Sequence, residues 1–440
     1  MAAAMHWSGR FVLPDKESAV GGMMRKLLRG RSARLLVALL GAVAVSVVGT
    51  PAQANPIEQL LTPSREYSGI LPTPLGDPFY TPPPEFESQP PGTVLATRPG
   101  GTGLTAFPLT STEVLVRSTD AKGHPVPVVA TLLVPKTPWT RPGPRPLLTF
   151  NAAIDSLGHR CAPSYELKTE LSGKLWAAQI PLSKGYAVLV PDHQGPRQAY
   201  GAGVMAGHAV LDGIRAAVGT PEFGLQPDTP TVITGYSGGA IASGWAAQLA
   251  PEYAPELNLV GAAFGGIPAD FGMLLDTMNG RNLASGVFLA ATLGLAREYP
   301  EMLELMNDNG WRLAQIGKDF CMSAQEFAGV VAPIPVQVLT DAAAPTDLPV
   351  IKEILAANRL GAAAPTVPVF LYHATHDPWV PLAGAENLYA DWCRAGTPVD
   401  FQVYLGEHFL VGLSGIPGAT DWIDDRFAGR PVASGCTRFG

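Results

Sequence analysis

Charge is scarce in this chain. Lysine, arginine, aspartate and glutamate together make up 15% of the 440 residues, against 47% hydrophobic residues. That balance supplies enough apolar side chain for a sizeable core and excludes a globally disordered chain. An excess of positive charge is missing as well: the formal net charge is −7, so nothing electrostatic favours a nucleic-acid partner. Two apolar stretches stand out, residues 35–48 and 283–296, and both fall short of the ~20 residues a helix needs to cross a bilayer. Cysteine is limited to Cys161, Cys321, Cys393 and Cys436. None of these sits in a C-x-x-C or histidine-interleaved spacing, which excludes the common metal-binding patterns.

Glycine (48) and proline (43) are abundant but show no repeat, the mark of a loop-rich globular chain. Residues 24–54 have the layout of a secretory signal. Arg25, Lys26, Arg29, Arg31 and Arg34 form a basic region, residues 35–48 an apolar one, and Ala52-Gln53-Ala54 a cleavage box. Residues 1–54 are therefore expected to be leader and signal peptide, with Met24 as the start, cleavage after Ala54 and an exported mature protein. No stable transmembrane segment is expected after cleavage. In an exported chain an even cysteine count suggests two disulfides, for which three pairings are possible.

Residues 55–103 are dense in proline and glycine and read as an extended arm with little regular structure. Residues 113–117 and 126–134 are β-like runs separated by Asp120-Ala121-Lys122-Gly123, a hairpin signal. Residues 147–150, 187–190, 231–234, 259–263, 367–372 and 401–405 read as buried strands. Helical spacing covers about 166–179, 203–218, 238–250 and 383–394. Strands alternating with helices of this length predict an α/β fold with a mostly parallel central sheet covered by helices on both faces. The alternation breaks across residues 271–360, which are helical in character and expected to form an inserted cap or lid. The core is thus expected in two parts, 104–270 and 361–440.

The chain is organised around Gly235-Tyr236-Ser237-Gly238-Gly239. A β-branched run leads into it and a small-residue helical segment leaves it. In that context G-x-S-x-G marks a sharp turn that lifts a serine hydroxyl above the sheet edge. A serine hydroxyl is a poor nucleophile unless a histidine takes its proton and an acid orients that histidine. In this topology the partners should follow later strands in the order acid, then histidine. Asp377, in His376-Asp377-Pro378, follows one such strand and His408, in Glu407-His408-Phe409, follows the next. Asp341, in the cap interval, and Asp400, at a strand start, are weaker rivals for the acid. His124, in a turn, and His208, in a helix, read as structural. His373 and His376 flank the acid and cannot easily reach the serine. One oxyanion-stabilising N–H should come from Gly238, and a second from the loop of residues 151–156, within which spacing alone selects no residue.

Asp155-Ser156 through Cys161-Ala162-Pro163-Ser164-Tyr165, Pro191-Asp192-His193-Gln194-Gly195-Pro196, and Gly207-His208-Ala209-Val210-Leu211-Asp212-Gly213-Ile214-Arg215 resemble the secretory lipase (LIP) family. This is the family related to Candida lipase A, and it has bacterial members. The resemblance spans nearly all of the expected mature chain. It implies an α/β-hydrolase fold with a helical cap and a catalytic triad falling on Ser237, Asp377 and His408. It also implies a second oxyanion donor at the backbone N–H of Asp155, and disulfides Cys161–Cys321 and Cys393–Cys436. His193 and His208 are read as structural residues of the matched motifs.

The expected function is hydrolysis of a lipid ester, such as an acylglycerol, by a secreted or cell-envelope-associated serine hydrolase. It would proceed through an acyl-enzyme on substrate that can be presented at an oil–water interface, and would need no metal or organic cofactor. An acyltransferase would use the same triad and pass the acyl group to an alcohol. A peptidase of this fold would need an anchor for a peptide terminus, and the cap carries no obvious acidic cluster. A non-catalytic envelope binding protein on this fold would be marked by loss of the triad, and all three members are present.

Overall fold

The β-branched and apolar runs pair into one mixed sheet. The computed structural model describes residues 62–103, 105, 107–169, 177–323, 329 and 332–440. The expected leader, signal segment and residues 55–61 of the arm lie outside them. The strands are β1 (Val94–Pro99), β2 (Leu109–Thr119), β3 (Pro125–Pro135), β4 (Leu147–Asn151), β5 (Ala187–Pro191), β6 (Thr231–Tyr236), β7 (Leu259–Gly265), β8 (Val369–Ala374), β9 (Val399–Tyr404) and β10 (Thr437–Phe439). Their order across the sheet is β1-β2-β3-β5-β4-β6-β7-β8-β9-β10. The β1/β2, β2/β3 and β3/β5 pairs are antiparallel, and every pair from β5/β4 to β9/β10 is parallel.

The helices are α1 (Pro163–Thr169), α2 (Gln179–Ser183), α3 (Gly203–Gly219), α4 (Gly238–Tyr253), α5 (Phe271–Thr277), α6 (Ser285–Glu298), α7 (Asp308–Gly317), α8 (Pro349–Ala357), α9 (Leu382–Arg394), α10 (His408–Ser414) and α11 (Ile416–Phe427). Successive strand residues point to opposite faces, and the packing follows that rule. Leu147, Ile233, Ala262 and Leu371 join one buried cluster with residues of α3, α4 and α9. Their neighbours Leu148, Val232, Ala263 and Phe370 join another with Ala419 and Ile423 of α11. Both faces of the parallel region are therefore buried, which explains why these strands read as continuous apolar runs.

Between β7 and β8 the chain leaves the sheet and forms α5 to α8. Helix α6, the apolar stretch of this interval, is mostly buried. Among the described residues no helix is long and apolar enough to cross a membrane. Two disulfides are present. Cys161–Cys321 links the segment after β4 to the α7 side of this interval, and Cys393–Cys436 links α9 to the chain just before β10. Closing a loop with a sequence separation of 160 limits the unfolded chain by on the order of 5 kcal/mol in the entropic model.

Two elements differ from the sequence expectation. The arm is not merely extended: residues 94–99 form edge strand β1, paired with β2. Val-Leu-Ala-Thr-Arg-Pro shows no alternation because an edge strand buries neither face fully. Of the helix expected at 166–179, α1 covers the start to Thr169 and α2 begins at Gln179; residues 170–176 lie outside those described. Strand β10 was not anticipated. It is three residues long, and its place beside β9 is fixed by the adjacent Cys436 crosslink.

Candidate active site

The carboxyl ends of parallel strands leave a crevice where connecting loops converge. The loops after β4, β5, β6, β8 and β9 meet there. Ser237 lies between β6 and α4 with φ 55° and ψ −120°, a conformation that costs a non-glycine residue roughly 1–3 kcal/mol. The turn is possible because its flanks are glycine: a Cβ on Gly235 would lie 2.4 Å from the Gly239 carbonyl oxygen, and one on Gly239 would lie 2.0 Å from that of Asn151. Helix α4 begins at Gly238, so its unpaired N–H groups and positive dipole end face the serine.

The structure brings Ser237, His408 and Asp377 together. His408 Nε2 is 2.8 Å from Ser237 Oγ, and His408 Nδ1 is 2.5 Å from Asp377 Oδ2. An ionised carboxylate only accepts, so Nδ1 carries the proton and Nε2 accepts from the serine hydroxyl. Both the His408 and Asp377 side chains are buried. The other oxygen of Asp377 accepts from the backbone N–H groups of Trp379 and Val380, each at 2.9 Å. Burial alone would raise the Asp377 pKa; the His408 hydrogen bond and charge and the two backbone bonds outweigh it, and the net shift is downward. Asp377 therefore stays ionised where a free carboxyl begins to protonate. With a depressed folded-state pKa, its contribution to stability is present above the ordinary carboxyl range and is lost as pH falls through the lower value.

Two neighbours that spacing did not single out hold the imidazole. Trp379 stacks on His408 with centroids 5.5 Å apart, and the Tyr236 hydroxyl donates to the His408 carbonyl at 2.5 Å. Tyr236 lies inside the quoted serine motif and Trp379 directly follows the quoted His376-Asp377-Pro378 run, which is the one available signal. Glu407 caps α10 by accepting from the N–H groups of Phe409 and Leu410.

The loop after β4 carries Asp155, which adopts a positive φ of 47°. Its carboxylate lies against the start of α4: a Cβ on Gly238 would be 1.5 Å from Asp155 Oδ1. Asp155 and Gly238 are therefore neighbours beside Ser237. The buried Tyr200 hydroxyl is hydrogen-bonded to the Asp155 carboxylate, and burial followed by that charge pushes its pKa well up. His193 braces the same loop. Its Nε2 is 2.8 Å from the Ala152 carbonyl oxygen, so that nitrogen carries the proton. Burial pushes the His193 pKa down to about 4, keeping the ring neutral. Asp192 next to it accepts from the backbone and hydroxyl of Ser164, and burial pushes its pKa up to about 7.

The remaining candidates lie apart from the serine. His208 bonds the Thr119 carbonyl and stacks on Tyr253. His124 faces Asp120, and His373 is buried in β8 against the Ala374 carbonyl. His376 is exposed beside Thr375. Asp341 is exposed in the cap interval, and Asp400 bonds Gln402 and Thr437. Among the described residues no cluster of three His, Cys, Asp or Glu side chains could hold a metal ion.

A cavity of about 210 Å³ lies under the helices between β7 and β8. Its walls are almost wholly apolar and include Phe271, Leu275, Leu289, Leu293 and Met306. None of the three site residues lines it. Leu157, two residues beyond Asp155 in sequence, is one of its walls.

A doubly covered parallel sheet with a serine at the strand–helix elbow and an acid and a histidine after later strands is the architecture of the α/β-hydrolase fold. The secretory lipase family model matches residues 172–435. Lipase 6 of Candida albicans is 34% identical, covering 83% of this chain and 84% of its own. A protein of Mycobacterium tuberculosis named a probable inactive lipase is 33% identical, covering 90% and 89%. The crystal structure of Candida antarctica lipase A in its closed state superposes with a TM-score of 0.77 at 29% identity, covering 83% of this chain and 89% of that one. The chain belongs to the secretory lipase family.

Proposed function

We propose that the protein is an exported lipid-ester hydrolase in which Ser237 attacks the acyl carbonyl while His408 accepts its proton and Asp377 fixes the histidine tautomer. The observation that carries this reading is the continuous hydrogen-bonded series from Ser237 Oγ through His408 to Asp377. The tetrahedral oxyanion is held by the backbone N–H groups of Asp155 and Gly238. His408 then returns the proton to the leaving alcohol. In the second half-reaction His408 draws a proton from water, which attacks the acyl-enzyme and releases the fatty acid. The apolar cavity under the cap helices fits the acyl chain. The intact Ser237–His408–Asp377 series argues against a purely binding role for this chain.

The substrate is presented at an oil–water surface. Leu405, Phe409, Leu410 and Leu413 are each more than half exposed, and all lie within nine residues around His408. A monomer in water gains nothing from four large apolar side chains beside its reaction centre, and such a patch marks an interaction surface. The test is the initial rate on acyl esters from C2 to C18, dissolved and emulsified, for the mature protein and a Leu405→Ser/Leu413→Ser variant. Wild type is expected to act on long emulsified chains. The variant should lose ~10-fold or more on emulsions, in line with ~1.5–3 kcal/mol for each large side chain removed from apolar contact, while keeping its rate on dissolved C4 ester. Activity confined to C2–C4 reduces the reading to a short-chain esterase. Faster acyl transfer to an added alcohol than to water would make the protein an acyltransferase.

A further inference from the structure

Helix α6 reads Ser-Gly-Val-Phe-Leu-Ala-Ala-Thr-Leu-Gly-Leu-Ala-Arg-Glu, with its only charges in the last two residues. Arg297 is 1% exposed, a costly place for a guanidinium. What surrounds it is a set of backbone carbonyls from four separate segments. Nε donates to Ile70 at 3.0 Å. Nη1 faces Leu157 at 2.8 Å, Arg197 at 3.0 Å and Gln198 at 3.2 Å. Nη2 donates to Lys318 at 2.8 Å. Among the described residues no carboxylate forms an ion pair with it, so carbonyl dipoles do the work a counter-ion usually does. Burial pushes its pKa down to about 10, which leaves it charged at neutral pH.

The carbonyls it gathers belong to the loops that shape the oxyanion site. Leu157 is two residues beyond Asp155. Gln198, held at a positive φ of 48°, precedes the turn that carries Tyr200, the hydroxyl partner of Asp155. Lys318 leads into the segment joined to the same loop by the Leu157 N–H to Phe320 carbonyl bond, the Met322 N–H to Ser156 hydroxyl bond and the Cys161–Cys321 disulfide. One planar cation thus ties the cap helix, both loops around Asp155 and the arm at Ile70 into a single unit. A planar fork with five donors suits this, whereas the three donors of a lysine ammonium do not.

We propose that Arg297 is a positioning residue for ester hydrolysis: through the Leu157 and Gln198 carbonyls it holds the backbone N–H of Asp155 where the oxyanion forms, making the cap part of the transition-state machinery. This rests on the reading of Asp155 and Gly238 as the oxyanion hole. Displacing that loop by an ångström costs transition-state stabilisation.

The experiment compares wild type with Arg297→Met and Arg297→Lys, measuring kcat and KM on a dissolved C4 ester and affinity for an alkyl boronic acid. The boronic acid adds to the serine and places an oxygen in the hole. Arg297→Met should lower kcat ~100-fold with KM nearly unchanged, and Arg297→Lys ~10-fold. Boronate affinity should fall in the same proportion, and amide exchange should rise at residues 155–157. If Arg297→Met does not fold, Arg297→Lys carries the test. A folded variant with kcat within ~3-fold of wild type, or with lowered kcat and unchanged boronate affinity, overturns the proposal. Gly238→Ala separates the two levels, because its Cβ would meet Asp155 Oδ1 at 1.5 Å. If Gly238→Ala weakens the boronate and the Arg297 variants do not, Arg297 alone is excluded. If Gly238→Ala binds it as wild type does, the oxyanion-hole reading falls and the proposal with it.

Discussion

Ser237→Ala is expected to lower kcat/KM for ester hydrolysis by on the order of 10⁵–10⁶ while leaving the fold intact. In the proposed mechanism the hydroxyl is both the nucleophile and the donor in the 2.8 Å bond to His408, so its loss would remove the acyl-enzyme route and not only a contact. The change should not damage stability. Alanine at a residue with φ 55° is no more strained than serine, and the bond lost is a single one, worth about 1 kcal/mol net. The thermal midpoint should move by no more than a few degrees. What activity remains would come from substrate binding and the oxyanion donors, which still favour attack by water. Parallel rate and thermal unfolding measurements check this. A variant that stays folded and keeps more than about 1% of the wild-type rate contradicts the assignment of the nucleophile.

Asp377→Asn should lower kcat by about 10⁴ with much less change in KM. The argument is one of proton bookkeeping. The carboxylate accepts from His408 Nδ1 at 2.5 Å and from the N–H groups of Trp379 and Val380. An amide in its place retains one accepting oxygen, which the two backbone N–H groups already claim. Its NH₂ would then point at Nδ1 and stabilise the tautomer with the proton on Nε2, where it cannot receive the serine proton. The buried carboxylate also offsets the positive charge that His408 acquires in the transition state, and asparagine does not. Kinetics on a dissolved short-chain ester across pH provide the check. A loss of kcat below tenfold at every pH would remove Asp377 from the mechanism.

Much of the fold was legible because it is written locally. The parallel strands could be found as short apolar runs since both of their faces are buried, and the elbow could be found since its glycines are required by backbone approaches of 2.0 and 2.4 Å. Positions after β8 and β9 could be nominated from topology alone, because the loops at one edge of a parallel sheet must converge. The less legible parts depend on partners distant in sequence. Strand β1 has no pattern of its own and exists through pairing with β2. Strand β10 is three residues held beside β9 by a crosslink from α9. Arg297 gave little warning in the sequence: a single arginine ending an apolar helix reads as a surface residue at its C-terminus, whereas its acceptors lie as far away as Ile70 and Leu157. The Asp155–Tyr200 contact is likewise set by how two loops cross. Sequence nominated the groups proposed to do the chemistry, and the side chains that hold them emerged only from the folded chain.

The relation to a protein named a probable inactive lipase makes a direct test of the nucleophile more informative than family membership. The decisive measurement is covalent capture of the reacting serine by a fluorophosphonate, located by mass spectrometry of peptides from the mature protein. The account predicts one adduct, on Ser237, formed with loss of ester hydrolysis in equal proportion, absent in Ser237→Ala and much slower in Asp377→Asn. Full hydrolytic activity with Ser237 unlabelled, or an inactivating adduct on any other residue, would contradict it.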